Sequence, residues 1–197
     1  MVLMAQPYVD AYETIEKSEN SITLMMTPQG EVFDDKMSNK FAKYDQIILI
    51  CGHYEGFDER IFHWVDAKVS IGDYVLTGGE LPALVIMDAV ARFIPGVLGK
   101  FASAVEDSFS SGLLEYPQYT RPDVFEGLEV PEVLRNGNHA LINRWRRKQA
   151  LKATWLHRPE LLGKLVPADA KLLAEVKAEA QSSPEMEIVN DKNVKKK

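Results

Sequence analysis

The chain of 197 residues is 46% apolar and 26% charged, with a mean hydropathy of −0.19, which is the composition of a globular protein of one domain, or of a domain with a small appendage, and excludes a disordered or fibrous chain. No run approaches the ~18–20 consecutive apolar residues of a membrane-spanning helix, and no basic segment with an apolar run follows Met1, so the expectation is a cytoplasmic protein without a membrane partner. Cys51 is the single cysteine and the four histidines lack ligand spacing, which argues against a disulfide scaffold, a structural zinc or any histidine-bound metal.

Residues 5–17 have helix-forming composition, and Ile22, Thr23, Leu24, Met25 and Met26 form a short apolar strand that ends in a turn at Thr27-Pro28-Gln29-Gly30. A helical stretch over 35–44 leads into a second strand over 46–51, apolar on both faces and therefore expected at the centre of a parallel sheet. After a short amphipathic segment, 58–66, a third strand over 68–71 stops at Gly72. Gly78-Gly79-Glu80-Leu81-Pro82 opens a helix with proline in its first turn, where the missing N–H costs nothing, and Pro95-Gly96 breaks that helix. Residues 100–119, rich in Ser and without periodicity, read as a long flexible linker. Beyond Arg121-Pro122 the pattern is helical. Asn138 caps a helix running to about residue 156, Pro159 closes it, and residues 168–181 form another before a frayed basic tail. This order predicts an α/β domain over residues 1–100, a linker over 101–120 and a small α-helical domain over 121–197.

The net charge of −6 argues by itself against a nucleic-acid partner, but the charge is unevenly spread. Seven of the 23 basic residues, Arg135, Arg144, Arg146, Arg147, Lys148, Lys152 and Arg158, fall in one segment without a single Asp or Glu. At about 100° per residue, Arg144, Arg147, Lys148 and Lys152 share an arc of roughly 140° on the predicted helix, and a face of cations with no acid in the segment points to phosphate contact.

Ligands of open α/β sheets bind beyond the carboxyl ends of the strands. Three strand ends carry glycine: Thr27 to Gly30, Gly52 to Gly56, and Ser70 to Gly79. Each alone is an ordinary turn, whereas three on one edge of one sheet point to a pocket. None matches GxGxxG or GxxxxGK[ST], so the ligand should carry little phosphate, and Ile71, Leu76 and Pro82 suit a nucleoside base. His53 stands two residues from Cys51, but a cysteine ending an apolar strand is usually an inert buried thiol, so Cys–His catalysis is rejected. Glu106 and Asp107 place carboxylates in the linker, where a solvated loop acid is the default.

Three long motifs carry a resemblance: Gly52-His53-Tyr54-Glu55-Gly56-Phe57-Asp58-Glu59-Arg60, Ser70 through Ala83, and Arg92-Phe93-Ile94-Pro95-Gly96-Val97-Leu98-Gly99. With Glu106-Asp107-Ser108-Phe109, Tyr119-Thr120-Arg121-Pro122 and Trp155 through Leu162, they resemble the bacterial tRNA (guanine-N1-)-methyltransferases of the TrmD type over nearly the whole chain. The resemblance implies a SPOUT-type α/β fold, a parallel sheet flanked by helices with a deep trefoil knot, plus a small C-terminal α-helical domain that binds tRNA. It also implies a homodimer with the active site at the subunit interface, S-adenosyl-L-methionine as cofactor, and methylation of N1 of guanosine 37 of tRNA. Matched residue by residue, the cofactor set is Thr27, Pro28, Gly30, Gly52, Tyr54, Glu55, Ser70, Ile71, Gly72, Tyr74, Leu76, Gly78, Gly79 and Pro82. Asp107 matches the general base and Arg92 the catalytic arginine, while Arg121, Arg144, Arg147, Lys148 and Lys152 form the tRNA-binding set, and no metal ligand is implied. Family members carry several dozen residues ahead of the point matching Met1, so the first strand and helix of the domain are expected to be missing. The family also often has a basic residue at position 53 and a histidine at 118. Three readings follow in order: an active methyltransferase, a truncated cofactor- or tRNA-binding form without turnover, and an RNA-binding protein without cofactor. Retention of Asp107 and Arg92 favours the first.

Overall fold

The computed structural model of the chain describes residues 1–97 and 108–182, which fall into two compact units, Met1–Val105 and Glu106–Lys197. The first unit is a three-stranded parallel sheet flanked by helices. Helix α1 (Ala5–Glu13) is followed by β1 (Ser21–Val32), α2 (Asp35–Phe41), β2 (Gln46–Ile50), a 3-10 turn (Glu59–Trp64), β3 (Ala67–Ser70) and α3 (Glu80–Ala91). The strand order is β2-β1-β3. Among the described strands β2 is thus at an edge and β1 at the centre, the reverse of the expectation for residues 46–51. The physical reason is burial: Ile22 through Met26 are buried, whereas most of β2 is only half-buried.

Alternation along β1 builds the layers. Ile22, Leu24 and Met26 pack with Phe41, Val69, Ala83, Ile86 and Val90 on the side of α2 and α3, while Met25 packs with Ile50 and Ile61 on the other face, against α1 and the 3-10 turn. Each fully buried side chain of this size contributes roughly 1.5–3 kcal/mol relative to exposure. The turn expected at Thr27-Pro28-Gln29-Gly30 lies inside β1. The strand does not end there; its pairing with β3 shifts register, so that Met26 and Glu31 both face Val69 and the intervening residues bow out. Gly30 is needed at this offset, since a Cβ there would collide with the backbone of Lys68 and Val69.

In the second unit a short hairpin (β4, Val124–Phe125; β5, Leu128–Glu129) precedes α4 (Glu132–Arg135), α5 (His139–His157) and α6 (Pro167–Ser182). Asn138 caps α5 by accepting from the Leu141 N–H at 3.3 Å, and the two long helices match their sequence-predicted bounds within a residue or two. Part of the stretch read as linker is anchored in this unit. Leu113 is buried with Ala150, Leu151 and Leu173, the Leu114 N–H donates to Thr154 Oγ1 at 2.9 Å, and the Glu115 N–H donates to Ser108 Oγ. The apolar side chains of Leu113 and Tyr116, packed in this cluster, explain the anchoring.

The expectation of an uncompensated cationic face on α5 is not met, because the acids come from the next helix. Arg144 pairs with Glu175 at 2.8 Å, Arg147 with Asp169 at 2.6 Å, and Lys148 with Glu179 at 2.5 Å. Arg135 and Arg158 pair with Glu129 and Glu160. Of the seven clustered cations, Arg146 and Lys152 alone show no carboxylate partner among the described residues.

Asp169 is 6% exposed and accepts both Arg147 bonds. That guanidinium holds its carboxyl below the usual range. Asp169→Asn is expected to destabilise the second unit by about 1–3 kcal/mol, because it strips a half-buried guanidinium of its charged partner. A carboxylate whose pKa is depressed by folding contributes in full above its unfolded value near ~4 and loses that contribution as pH falls through the lower folded value. The gap between wild-type and variant denaturation midpoints should therefore be constant at neutral pH and close only in acid; a gap that widens below pH ~4 would contradict the pairing.

Candidate active site

The carboxyl ends of the three parallel strands open onto a cavity of about 470 Å³. Its floor is apolar, with Met25, Met26, Phe57, Phe62 and Val69, and its walls are the bowed segment of β1, the loop after β2 and the loop between β3 and α3. The last two loops are tied together. The Gly79 N–H donates to the Gly52 carbonyl at 2.9 Å, and His53 and Gly78 form an antiparallel bridge. Gly79 cannot be replaced in place, because a Cβ would lie 2.6 Å from the Cys51 Cα and 2.9 Å from the Gly52 nitrogen. The loop after β2 is held from behind by Leu3, whose N–H donates to the Gly56 carbonyl and whose carbonyl accepts from Asp58.

Thirteen of the sequence-predicted cofactor residues line this one cavity: Thr27, Pro28, Gly52, Tyr54, Glu55, Ser70, Ile71, Gly72, Tyr74, Leu76, Gly78, Gly79 and Pro82. Gly30 does not, and its position is explained by the β1–β3 offset. The apolar floor was missed, although the signal was available: Met25, Met26 and Val69 are strand residues next to two of the three glycine-bearing ends.

The electrostatics narrow the ligand. Glu55 and Glu59 line the cavity, each beside a cation outside the lining, the amino terminus of Met1 at 3.2 Å and Lys68 at 4.0 Å; no Lys or Arg is among the lining residues, so the lining itself offers a phosphate no partner. Glu80, at the first turn of α3, sits 2.5 Å from His53 Nε2; its own backbone N–H and then the His53 ring hold its carboxyl below the usual range. Burial, and after it the negative charge of Glu80, pushes the Cys51 thiol up. The His53 ring is engaged by Glu80. Among the described residues no group of three or more His, Cys, Asp or Glu is arranged to hold a metal ion, and no helix is long and apolar enough to cross a membrane.

Arg92 stands at the C-cap of α3 and does not line the cavity. At 1.5 Å per residue, it is about 15 Å along the helix from Pro82, beyond the reach of its side chain. Asp107 lies outside the described residues.

The family model for tRNA (Guanine-1)-methyltransferase TrmD matches residues 1–164. The chain belongs to this family. Relatives named tRNA (guanine-N(1)-)-methyltransferase include a protein of Lactobacillus delbrueckii subsp. bulgaricus, 50% identical over 184 residues that make up 92% of this chain and 74% of the relative. One from Moorella thermoacetica is 53% identical over 191 residues, covering 93% and 76%, and one from Enterobacter sp. (strain 638) is 54% identical over 184 residues, covering 91% and 72%. The TrmD match ends at residue 164, before α6, so the helix that supplies Asp169, Glu175 and Glu179 lies beyond it.

Proposed function

We propose that this chain transfers the methyl group of S-adenosyl-L-methionine to N1 of guanosine 37 of tRNA, acting as a homodimer. The observation that carries this reading is the convergence of thirteen matched residues on a single cavity at the strand ends of a TrmD family member. The site fits the cofactor on two grounds: its volume suits a ligand of that size, and its lining holds no Lys or Arg that would repel a sulfonium. Thr27, Pro28, Ile71, Leu76 and Pro82 would hold the base, and Glu55 would face the charged end. When bound, the cofactor supplies an already activated methyl group on a sulfonium.

The chain's own residues do the rest. N1 of guanine bears a proton and is a poor nucleophile until a base removes it, which is the role of Asp107. As that proton leaves, negative charge grows on O6, where the Arg92 guanidinium stabilises it. The 15 Å between Arg92 and Pro82 along α3 supports delivery of this arginine to a second subunit's cavity. So does the outer side of α3, where Leu81, Leu84, Val85 and Met87 are all about half exposed, an apolar stripe of the kind that marks an interface. The cofactor loops belong, in this reading, to a deep trefoil knot. In the second unit, Arg121 and Lys152 contact tRNA, while Arg144, Arg147 and Lys148 reach phosphate only by sharing their charge with α6.

Incubation of the chain with methyl-labelled S-adenosyl-L-methionine is expected to label a tRNA carrying guanosine at positions 36 and 37 and to leave its adenosine-37 counterpart unlabelled. Absence of label from the first tRNA, with the protein folded, would overturn the assignment.

A further inference from the structure

The second unit holds a cavity of its own, about 330 Å³, between the segment Tyr116 to Arg121 and the side of α5 that carries Ile142, Trp145 and Arg146. Its lining combines aromatic rings and guanidinium groups. Tyr119 and Trp145 lie with ring centroids 6.2 Å apart, inclined at 56°. The Arg146 guanidinium sits 4.9 Å over the ring of Tyr116, and its Nε is buried without a hydrogen-bond acceptor. Arg121 opens onto the same space, opposed by one lining carboxylate, Asp123. Arg135 lines it too, but is already paired with Glu129.

We infer that this cavity takes one unpaired nucleotide of the RNA substrate, its base against Tyr119 and Trp145 and its phosphate against Arg121 and Arg146. Three observations carry the step. Aromatic faces next to arginines are the combination that holds single-stranded nucleic acid, since every base has a π-face to stack and every phosphate a charge to pair. Three of the four cations expected to read phosphate on the opposite side of α5, Arg144, Arg147 and Lys148, are engaged by α6, whereas Arg146 has no carboxylate partner among the described residues. A cavity of this size is the volume class of a small ligand and excludes a duplex. The inference rests on the tRNA reading above and adds where in the second unit an unpaired residue is gripped.

The test uses the full chain and tRNA with guanosine at positions 36 and 37, with binding measured over a range of salt. Tyr119→Ala should weaken tRNA binding ~5- to 100-fold through loss of stacking, while Tyr119→Phe, which keeps the ring, should bind within about twofold of wild type. Arg121→Gln should lower the salt slope by about 1, whereas Lys164→Gln, an exposed charge in the same unit outside the cavity, should leave both affinity and slope nearly unchanged. Affinity for S-adenosyl-L-methionine should be the same in all four. Wild-type affinity in Tyr119→Ala, or equal losses in Tyr119→Ala and Tyr119→Phe, would overturn the inference, and if wild type still methylates tRNA the proposed function survives that failure. Failure of wild type to bind or methylate tRNA would overturn both. Competition by inorganic phosphate at matched ionic strength, with none from single-stranded polyuridylate, would identify an anion site instead and overturn the nucleotide.

Discussion

Asp107→Asn is expected to lower the single-turnover rate of methyl transfer by ~10²–10⁴-fold, the usual contribution of a positioned general base, while tRNA and cofactor still bind. The asparagine keeps the size of the side chain and can hydrogen-bond to the guanine edge, so recognition survives. What it cannot do is accept the N1 proton. The residual rate should then climb with pH, since deprotonation falls to hydroxide once the carboxylate is gone. A near-normal single-turnover rate in this variant would remove Asp107 from the role of base without touching the family assignment, which rests on the match over residues 1–164.

Arg92→Ala should cost ~10²–10³-fold in kcat, the range for deleting one group that stabilises developing oxyanion charge, and it should do so in cofactor-saturated protein. Its position allows a sharper test. Because Arg92 is at the far end of α3 from Gly79 and Pro82, it should complete the site of the partner protomer and leave its own cavity alone. Gly79→Val should abolish cofactor binding, as the new side chain would start 2.6 Å from the Cys51 Cα and force apart the two loops that Gly79 ties. Each variant alone then keeps at most about a hundredth of the wild-type activity. Co-expressed, they should recover about a quarter of wild-type activity, since half of randomly assorted dimers are mixed and each mixed dimer holds one complete site. No recovery, with mixed dimers demonstrated by differential tags, would mean that Arg92 serves its own protomer.

How much of this was legible in the sequence varied with how local the cause was. Asn138, the apolar periodicity of residues 139–157 and Pro159 lie within one element, and they delimited α5 to within a residue or two. Glycines immediately after apolar strands marked the loops that meet at the cavity. Non-local causes stayed hidden. Thr27-Pro28-Gln29-Gly30 has turn composition, and only pairing with β3 reveals that the strand resumes at Glu31. The apolar run 46–51 looked central, yet its place in the sheet depends on what lies on either side of it. The hairpin of β4 and β5 was missed because its strands have two residues each, although Glu126 and Gly127 take the left-handed conformation of a tight turn. The cationic face of α5 looked uncompensated because its acids lie 22 to 31 residues away, on another helix.

Helix α3 is apolar nearly all the way round, with only Glu80 and Asp88 charged among its residues. Ala83, Ile86 and Val90 leave water when the first unit folds, but Leu81, Leu84 and Val85 keep about half of their surface exposed. Each of these is worth roughly 1.5–3 kcal/mol on full burial, and about half of that is still to be gained, so covering all three adds roughly 2–5 kcal/mol, a sizeable share of the ~5–15 kcal/mol that holds a typical domain folded. If these side chains meet a second copy in the homodimer proposed above, that part of the stability is realised between chains: the melting temperature becomes a function of protein concentration, and dilution acts as a denaturant.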